Sequence, residues 1–242
     1  GEYIVVNGSK TFISNGSIAE LVFLFGKWSE IDDRKAAISA LVLEKDTPGF
    51  SVLRNERKMG HRAAPTVSLS FENCRVPKST IIGGPENLNK GFATAMKTLD
   101  RGRLHISALS VGCANRLIEE SVAFATERTQ FGQPIADFQL IQAMLADSKA
   151  EANAAECMVL DAAKRRDAGE RITTLASCAK LFATEMVGRV ADRAVQIHGG
   201  AGYMEEYPVA WFYRDVRLFR IYEGTCQIQQ TVIAKGLIRE LG

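Results

Sequence analysis

The sequence predicts an α+β protein in two parts, an antiparallel β-barrel or sandwich followed by an up-down helical bundle. Three observations carry this. Turn signals recur at short intervals over the first 85 residues. Four of the six prolines (Pro48, Pro65, Pro77 and Pro85) fall in the same stretch. From Gly91 onward only Pro134 and Pro208 remain, and apolar residues recur at spacings of three and four. Short β-branched and aromatic runs between turns suit strands, whereas the three-four spacing marks one face of a helix. The expected division is 1–85 for the β-domain and 86–242 for the bundle.

Taken in order, Asn7-Gly8 and Asn15-Gly16 read as tight turns on either side of a strand over 9–14. Further strands are expected over 21–25, 37–44, 50–54 and 67–71, with prolines between them or at their ends. Helical sequence then runs over about 92–128. A second stripe follows through Ile141, Met144, Leu145, Ser148, Ala152, Ala155, Met158 and Val159, and a third through Leu175, Ala179, Phe182, Met186 and Val190. Gly169 between them suits the position just past a helix end, where the left-handed conformation is common. A last helix is expected to about residue 240. Long stripes joined by short loops define a bundle.

Composition excludes several classes. A net charge of +2, with Lys and Arg scattered among acids, offers no basis for binding nucleic acid or a membrane surface. No apolar run reaches the roughly 18 residues of a membrane span, and no secretory leader is legible. The five cysteines are odd in number and lack any CxxC pair, and the three histidines lack ligand spacing. Reduced thiols in an intracellular setting and no metal site are therefore expected. The chain starts at Gly1 in what reads as mid-strand, which suggests a portion excised from a longer protein.

Chemistry concentrates in Arg220-Ile221-Tyr222-Glu223-Gly224-Thr225-Cys226-Gln227-Ile228. A carboxylate stands between an aromatic and a glycine, and the glycine lets a ligand approach the backbone. A carboxylate desolvated by an aromatic and a ligand holds a proton more strongly, as a general base must. The plainer reading is a helix start, with Thr225 as N-cap and Glu223 a solvated acid before it. Other stretches carry similar double readings. Asp100 and Arg103, three apart on a helix, make a local ion pair. Arg128, in Glu127-Arg128-Thr129-Gln130-Phe131-Gly132, is a cation near a helix C-terminus. Gly199, Gly200 and Gly202 in Gln196-Ile197-His198-Gly199-Gly200-Ala201-Gly202 would let backbone N–H groups reach an anion, or merely end a helix. Phe12, on pattern alone, is a core strand residue.

Together these stretches resemble the acyl-CoA dehydrogenase family. Tyr-Glu-Gly-Thr-x-Gln-Ile at 222–228 is similar to its C-terminal signature, and Asn7–Gly16 to its Asn-Gly-x-Lys-x-Trp-Ile-Thr-Asn segment, with Phe12 for the Trp and Ser14 for the Thr. Lys58-Met59-Gly60, the 71–77 stretch, Arg-x-x-Phe-Gly at 128–132 and Gln-x-x-Gly-Gly-x-Gly at 196–202 follow in the family order. The resemblance covers nearly the whole chain. It implies the middle β-domain and C-terminal helical domain, with the N-terminal helical domain absent from this chain.

The resemblance also implies roles. Glu223 is the catalytic base that takes the pro-R Cα proton of an acyl-CoA thioester while Cβ gives hydride to flavin N5. The Glu223 N–H and an FAD hydroxyl polarise the thioester carbonyl, and an electron-transferring flavoprotein takes the electrons. Asp100, Arg103 and Gly224 are implied at the substrate. Phe12, Ile13, Ser14, Arg128, Phe131, Gln139, Gln196, Gly199, Gly200, Thr225 and Gln227 are implied at FAD, which is shared across a homo-oligomer, dimer or tetramer. Some members carry the base between the matching Asp and Arg. Here Arg101 and Gly102 intervene, so the base belongs at Glu223. The implied location is a bacterial cytoplasm or a mitochondrial matrix. An acyl-CoA oxidase passing electrons to oxygen and a non-catalytic relative or fragment are the alternatives.

Overall fold

The computed structural model describes residues 2–28 and 37–242. Gly1, on which the reading of an interrupted strand rests, lies outside them. The chain divides into two compact units, Gly1–Thr98 and Leu99–Gly242.

Among the described residues, the first unit is built on five antiparallel strands. β1 (Tyr3–Ser14), β4 (Phe50–Asn55) and β5 (Thr66–Pro77) form one sheet in the order β1-β5-β4. β2 (Leu21–Lys27) and β3 (Ile38–Glu44) pair in a second. One core joins both sheets, with Val67, Leu69, Phe71, Cys74 and Val76 of β5 packed on Val22, Leu24, Leu41 and Leu43. Two sequence expectations change here. Asn7-Gly8 is no turn, because β1 continues through it opposite β5, where two residues, Glu72 and Asn73, face the single Asn7. Asn73 occupies the left-handed region (φ 48°), and its N–H donates to Asn7 Oδ1 at 2.7 Å. This bulge shifts the inward face of β5 from odd to even positions, so strict alternation read along the sequence ends at Phe71 while the strand continues to Pro77. The turn at Asn15, by contrast, forms as expected, with Asn15 at φ 60° and its N–H donating to Pro65 O at 2.7 Å.

The second unit is helical. α1 spans Gly91–Glu127, so the division between units falls within it. A two-residue-per-strand hairpin, β6 (Thr129–Gln130) and β7 (Gln133–Pro134), leads into α2 (Gln139–Asp167). α3 (Thr173–His198), the short α4 (Pro208–Val216) and α5 (Cys226–Leu241) complete the bundle. α3 is its central rod. It packs on α2, α4 and α5, and half of its 26 residues are buried, mostly Ala, Val and Met. Small side chains bring neighbouring axes close. Gly169 ends α2 at φ 83°, as its position predicts. Glu151 of α2 ties α3 by accepting from Arg189 and Arg193, each at 2.8 Å. Burial pushes the Glu151 carboxyl up, but the two guanidinium bonds and charges together outweigh it and hold the group below its ordinary value. α4 was not legible beforehand. It begins with Pro208 at its first turn, where the missing N–H costs nothing.

Candidate active site

The site in the helical unit is built on the loop between α4 and α5. After a short 3-10 turn over Arg217–Arg220, Tyr222 stacks on the buried Phe219 with ring centroids 5.9 Å apart and planes 8° from parallel. Burial drives the Tyr222 hydroxyl well above the ordinary tyrosine range, so it stays protonated. The chain then enters the left-handed region twice in succession, at Glu223 (φ 54°) and Gly224 (φ 84°). Gly224 adopts this without strain, whereas for Glu223 it costs about 1 kcal/mol or more. Thr225 closes the turn as N-cap of α5, its Oγ1 accepting from Ile228 N at 3.3 Å. The plainer reading of Thr225 therefore holds, but that of Glu223 does not.

Glu223 is partly buried, not a solvated acid. Its carboxylate lies against α1 at Gly102. A Cβ on Gly102 would stand 2.1 Å from Glu223 Oε2 and 2.7 Å from its Cδ. The absence of a side chain at 102 is thus what makes room for the carboxylate. Among the described residues neither the Glu223 carboxylate nor its backbone N–H has a hydrogen-bond or ion-pair partner. A half-buried acid and a free amide on one residue can take a proton and receive a carbonyl oxygen.

Two buried side chains hold this turn from beneath. Lys180 of α3, with no accessible surface, donates from Nζ to Gly224 O at 2.9 Å. Gln229 of α5, equally buried, donates from Nε2 to Gly224 O at 2.9 Å and to Glu223 O at 3.2 Å. Sequence reasoning missed both. A lone Lys in an amphipathic helix reads as a surface residue, and no spacing signals a partner 44 positions away. Gly102 was noted only for lacking a carboxylate.

The other candidates fall into place as follows. Asp100 and Arg103 form the ion pair their spacing predicts, 2.8 Å apart, and Asp100 Oδ2 also accepts from Thr173 Oγ1 at 2.8 Å. Arg103 is buried, with its Nε unpartnered. Arg128 is exposed and carries no ion pair among the described residues. Phe131, at the tip of the β6–β7 hairpin, is 94% exposed at φ 53°, set edge-on to Phe138. Gln139 begins α2, and Gln196 lies in the last turn of α3, both exposed. Thr225 is half-buried and Gln227 exposed on the first turn of α5. Gly199 and Gly200 face open space where a Cβ would project, while Gly202 would meet Val195 O at 2.6 Å. Packing explains Gly202 alone. Gly199 ends α3 at φ 57°, as the plainer reading has it, and with Gly200 it leaves open backbone, a cradle that side chains would fill. Beside it His198 packs, stacked on Phe124 with centroids 4.2 Å apart and Nδ1 bonded to Ala194 O at 2.8 Å.

In the first unit, Phe12, Ile13 and Ser14 sit at the end of β1. A bulge there sets two residues, Thr11 and Phe12, against Ser68. It puts Phe12 at φ 58° and turns its ring out of the sheet, 72% exposed. A core role for Phe12 is overturned. Ile13 opposite Val67 packs on the core, and Ser14 opposite Thr66 is exposed. No cluster of His, Cys, Asp or Glu able to hold a metal occurs among the described residues, and no helix there is long and apolar enough to cross a membrane. All five cysteines are free. Burial, with Asp215 adding to it, pushes the Cys113 thiol to about 11, which leaves it unreactive near neutral pH.

A carboxylate without a hydrogen-bond or ion-pair partner among the described residues, on a left-handed turn held by Lys180 and Gln229, and open backbone at Gly199 and Gly200 mark the helical unit. The chain belongs to the acyl-CoA dehydrogenase family. The C-terminal domain of that family matches residues 89–238 and its middle domain residues 1–74. It is 44% identical over 239 residues to the probable acyl-CoA dehydrogenase YngJ of Bacillus subtilis, covering 99% of this chain and 62% of that one. It is 41% identical over 240 residues to the caffeyl-CoA reductase-Etf complex subunit CarC of Acetobacterium woodii, again 99% and 62%. Its fold matches butyryl-CoA dehydrogenase from Megasphaera elsdenii with a TM-score of 0.94 at 39% identity, over 98% of this chain and 61% of that one. The chain therefore spans about three-fifths of the length of these relatives.

Proposed function

We propose that the protein containing this chain is an FAD-dependent acyl-CoA dehydrogenase that introduces a Cα–Cβ double bond into an acyl thioester, giving the trans-2-enoyl-CoA. Glu223 is the base that removes the Cα proton. The observation that carries this is its unpartnered carboxylate, seated against the bare backbone of Gly102. As the proton leaves, negative charge develops on the thioester oxygen. The unpaired N–H of Glu223 is the donor assigned to that oxygen, and a donor aimed at developing charge is worth several kcal/mol. Gly224 lets the thioester lie against the backbone beside it.

The residues fit an FAD. The open backbone at Gly199 and Gly200, beside Gln196, suits its adenosine diphosphate. The unpaired Arg128 suits pyrophosphate, which a guanidinium grips bidentately. The exposed rings of Phe12 and Phe131, with Ile13, Ser14, Gln139, Thr225 and Gln227, complete the proposed contacts. When bound, the flavin supplies the hydride acceptor for Cβ. Because Arg128 and Phe131 point outward from the bundle, we assign them to the cofactor of a neighbouring copy in a homo-oligomer. Asp100 and Arg103 are proposed at the CoA portion. Electrons are proposed to leave through an electron-transferring flavoprotein, in line with the Etf complex named for the Acetobacterium woodii relative. That relative is named a reductase, so a second reading runs the same residues in reverse, with Glu223 returning the proton to Cα.

The test is anaerobic addition of a panel of saturated acyl-CoAs to the full-length, flavin-loaded protein. Bleaching of the flavin by one chain length names the substrate. Glu223→Gln is expected to lower the bleaching rate by about 10³-fold or more, since general-base catalysis alone contributes about 10²–10⁴. Near-normal turnover in that variant would remove Glu223 as the base.

A further inference from the structure

Lys180 is an unusual group to find beneath this turn. An ammonium without accessible surface has lost several kcal/mol of hydration, and a neutral donor could tie a loop more cheaply. Gln229 already does so, bonding the same Gly224 carbonyl at the same 2.9 Å. A purely mechanical tie does not require the charge.

The pairing of neighbouring charges gives it a purpose. The charged groups facing Lys180 are Glu185, Glu223 and Arg103, with the Cys226 thiol beside them. Glu185 is matched by Arg220 at 2.9 Å, and Arg103 by Asp100 at 2.8 Å. Of these, Lys180 and Glu223 are the two left without an ion pair among the described residues, and Lys180 bonds the carbonyl of Gly224, the residue next to Glu223. We infer that Lys180 is a positioning residue for the base. By anchoring the Gly224 carbonyl next to Glu223 and attracting the unpaired Glu223 carboxylate through its charge, the ammonium holds two successive left-handed residues in an arrangement that offers both the carboxylate and the N–H of Glu223 to the thioester. Burial draws Lys180 below the ordinary lysine range, while Cys226, Glu185 and Glu223 oppose this and Arg103 adds to it. The inference rests on the reading of Glu223 as the base.

The test isolates proton removal from the rest of the reaction. The probe is an acyl-CoA analogue with sulfur in place of Cβ, which has no hydride to give. In deuterated water its Cα proton leaves to Glu223 and a deuteron returns, so mass spectrometry of the analogue reads the base alone. In the full-length, flavin-loaded protein, Lys180→Met keeps an unbranched side chain one atom shorter but loses the charge and the donor. Its exchange rate is expected to fall about 10–100-fold, the scale of a misplacement near 1 Å, while the dissociation constant of the analogue changes less than about 3-fold. Exchange within about 3-fold of wild type, in a variant that retains flavin, overturns the inference. Should Lys180→Met not fold, Lys180→Gln keeps a donor without the charge, and exchange within about 3-fold of wild type there overturns the role of the ammonium equally. Glu223→Gln separates the two readings. If it exchanges like wild type, the base has been misassigned. If it is inert while Lys180→Met is normal, only the role of Lys180 falls.

Discussion

Gly102→Ala separates stability from activity within one methyl group. Gly102 lies inside α1, where replacing Gly with Ala favours the helix by about 1 kcal/mol. The added carbon would stand 2.1 Å from Glu223 Oε2, against about 3.4 Å for ordinary contact. The carboxylate must therefore withdraw by about 1.3 Å, the difference between those distances. The atoms displaced are the far end of a flexible side chain, so the fold yields cheaply. The base, however, moves by an amount that typically costs about 10²-fold in rate. The expected variant is as stable as the parent or slightly more so by thermal melting, binds flavin normally, and turns over acyl-CoA about 10²-fold more slowly, with most of the loss in kcat. Unchanged kcat would refute the reasoning, because it would mean that the carboxylate does its work from another position. A large loss of Tm would refute it too, by showing that the glycine serves packing.

Two further outcomes concern the scaffold. Gly49 lies at φ 86° before β4, and a Cβ there would stand 2.3 Å from the backbone oxygen of Glu72. Gly49→Ala should destabilise the first unit by about 2–4 kcal/mol, seen as a lower denaturation midpoint, because backbone cannot step aside as a side chain can. Burial lowers the proton affinity of His198 below its ordinary value, against opposing contributions from the Ala194 carbonyl and Glu120. The unfolded chain then takes up the proton first, so stability falls as pH drops below about 6.5 and levels off beneath the depressed folded value. His198→Leu should flatten that slope in melts between pH 7.5 and 5, and an unchanged slope would place its origin elsewhere.

Much of the fold was legible because periodicity is a local property. The stripes of α2 and α3 appear as buried faces at Ala152, Ala155, Ala179, Met186 and Val190, with α2 buried from Ser148 onward. β5 runs longer than its alternation predicts because a bulge at Glu72 and Asn73 adds one residue to it and changes which parity faces inward, a change that strict alternation cannot register. Glu223 stood out through its neighbours in sequence. What surrounds it did not: Gly102, Lys180 and Gln229 come from α1, α3 and α5, and their importance arises only where the chain brings them to one turn. The outward Phe12 was missed for a related reason, as alternation along β1 takes no account of an extra residue.

α3 carries Lys180 near one end and Gln196 near the other, sixteen residues on. At about 1.5 Å per residue the helix sets them about 24 Å apart along its axis. It thus acts as a ruler between the brace of the base and the glycine cradle. A point change on its exposed side leaves that length intact. A single inserted or deleted residue does not, since it slides one end by about 1.5 Å and turns it by about 100° relative to the other. Natural variation in this protein is therefore expected to substitute freely along the outer face of α3 while keeping its residue count between those two positions fixed.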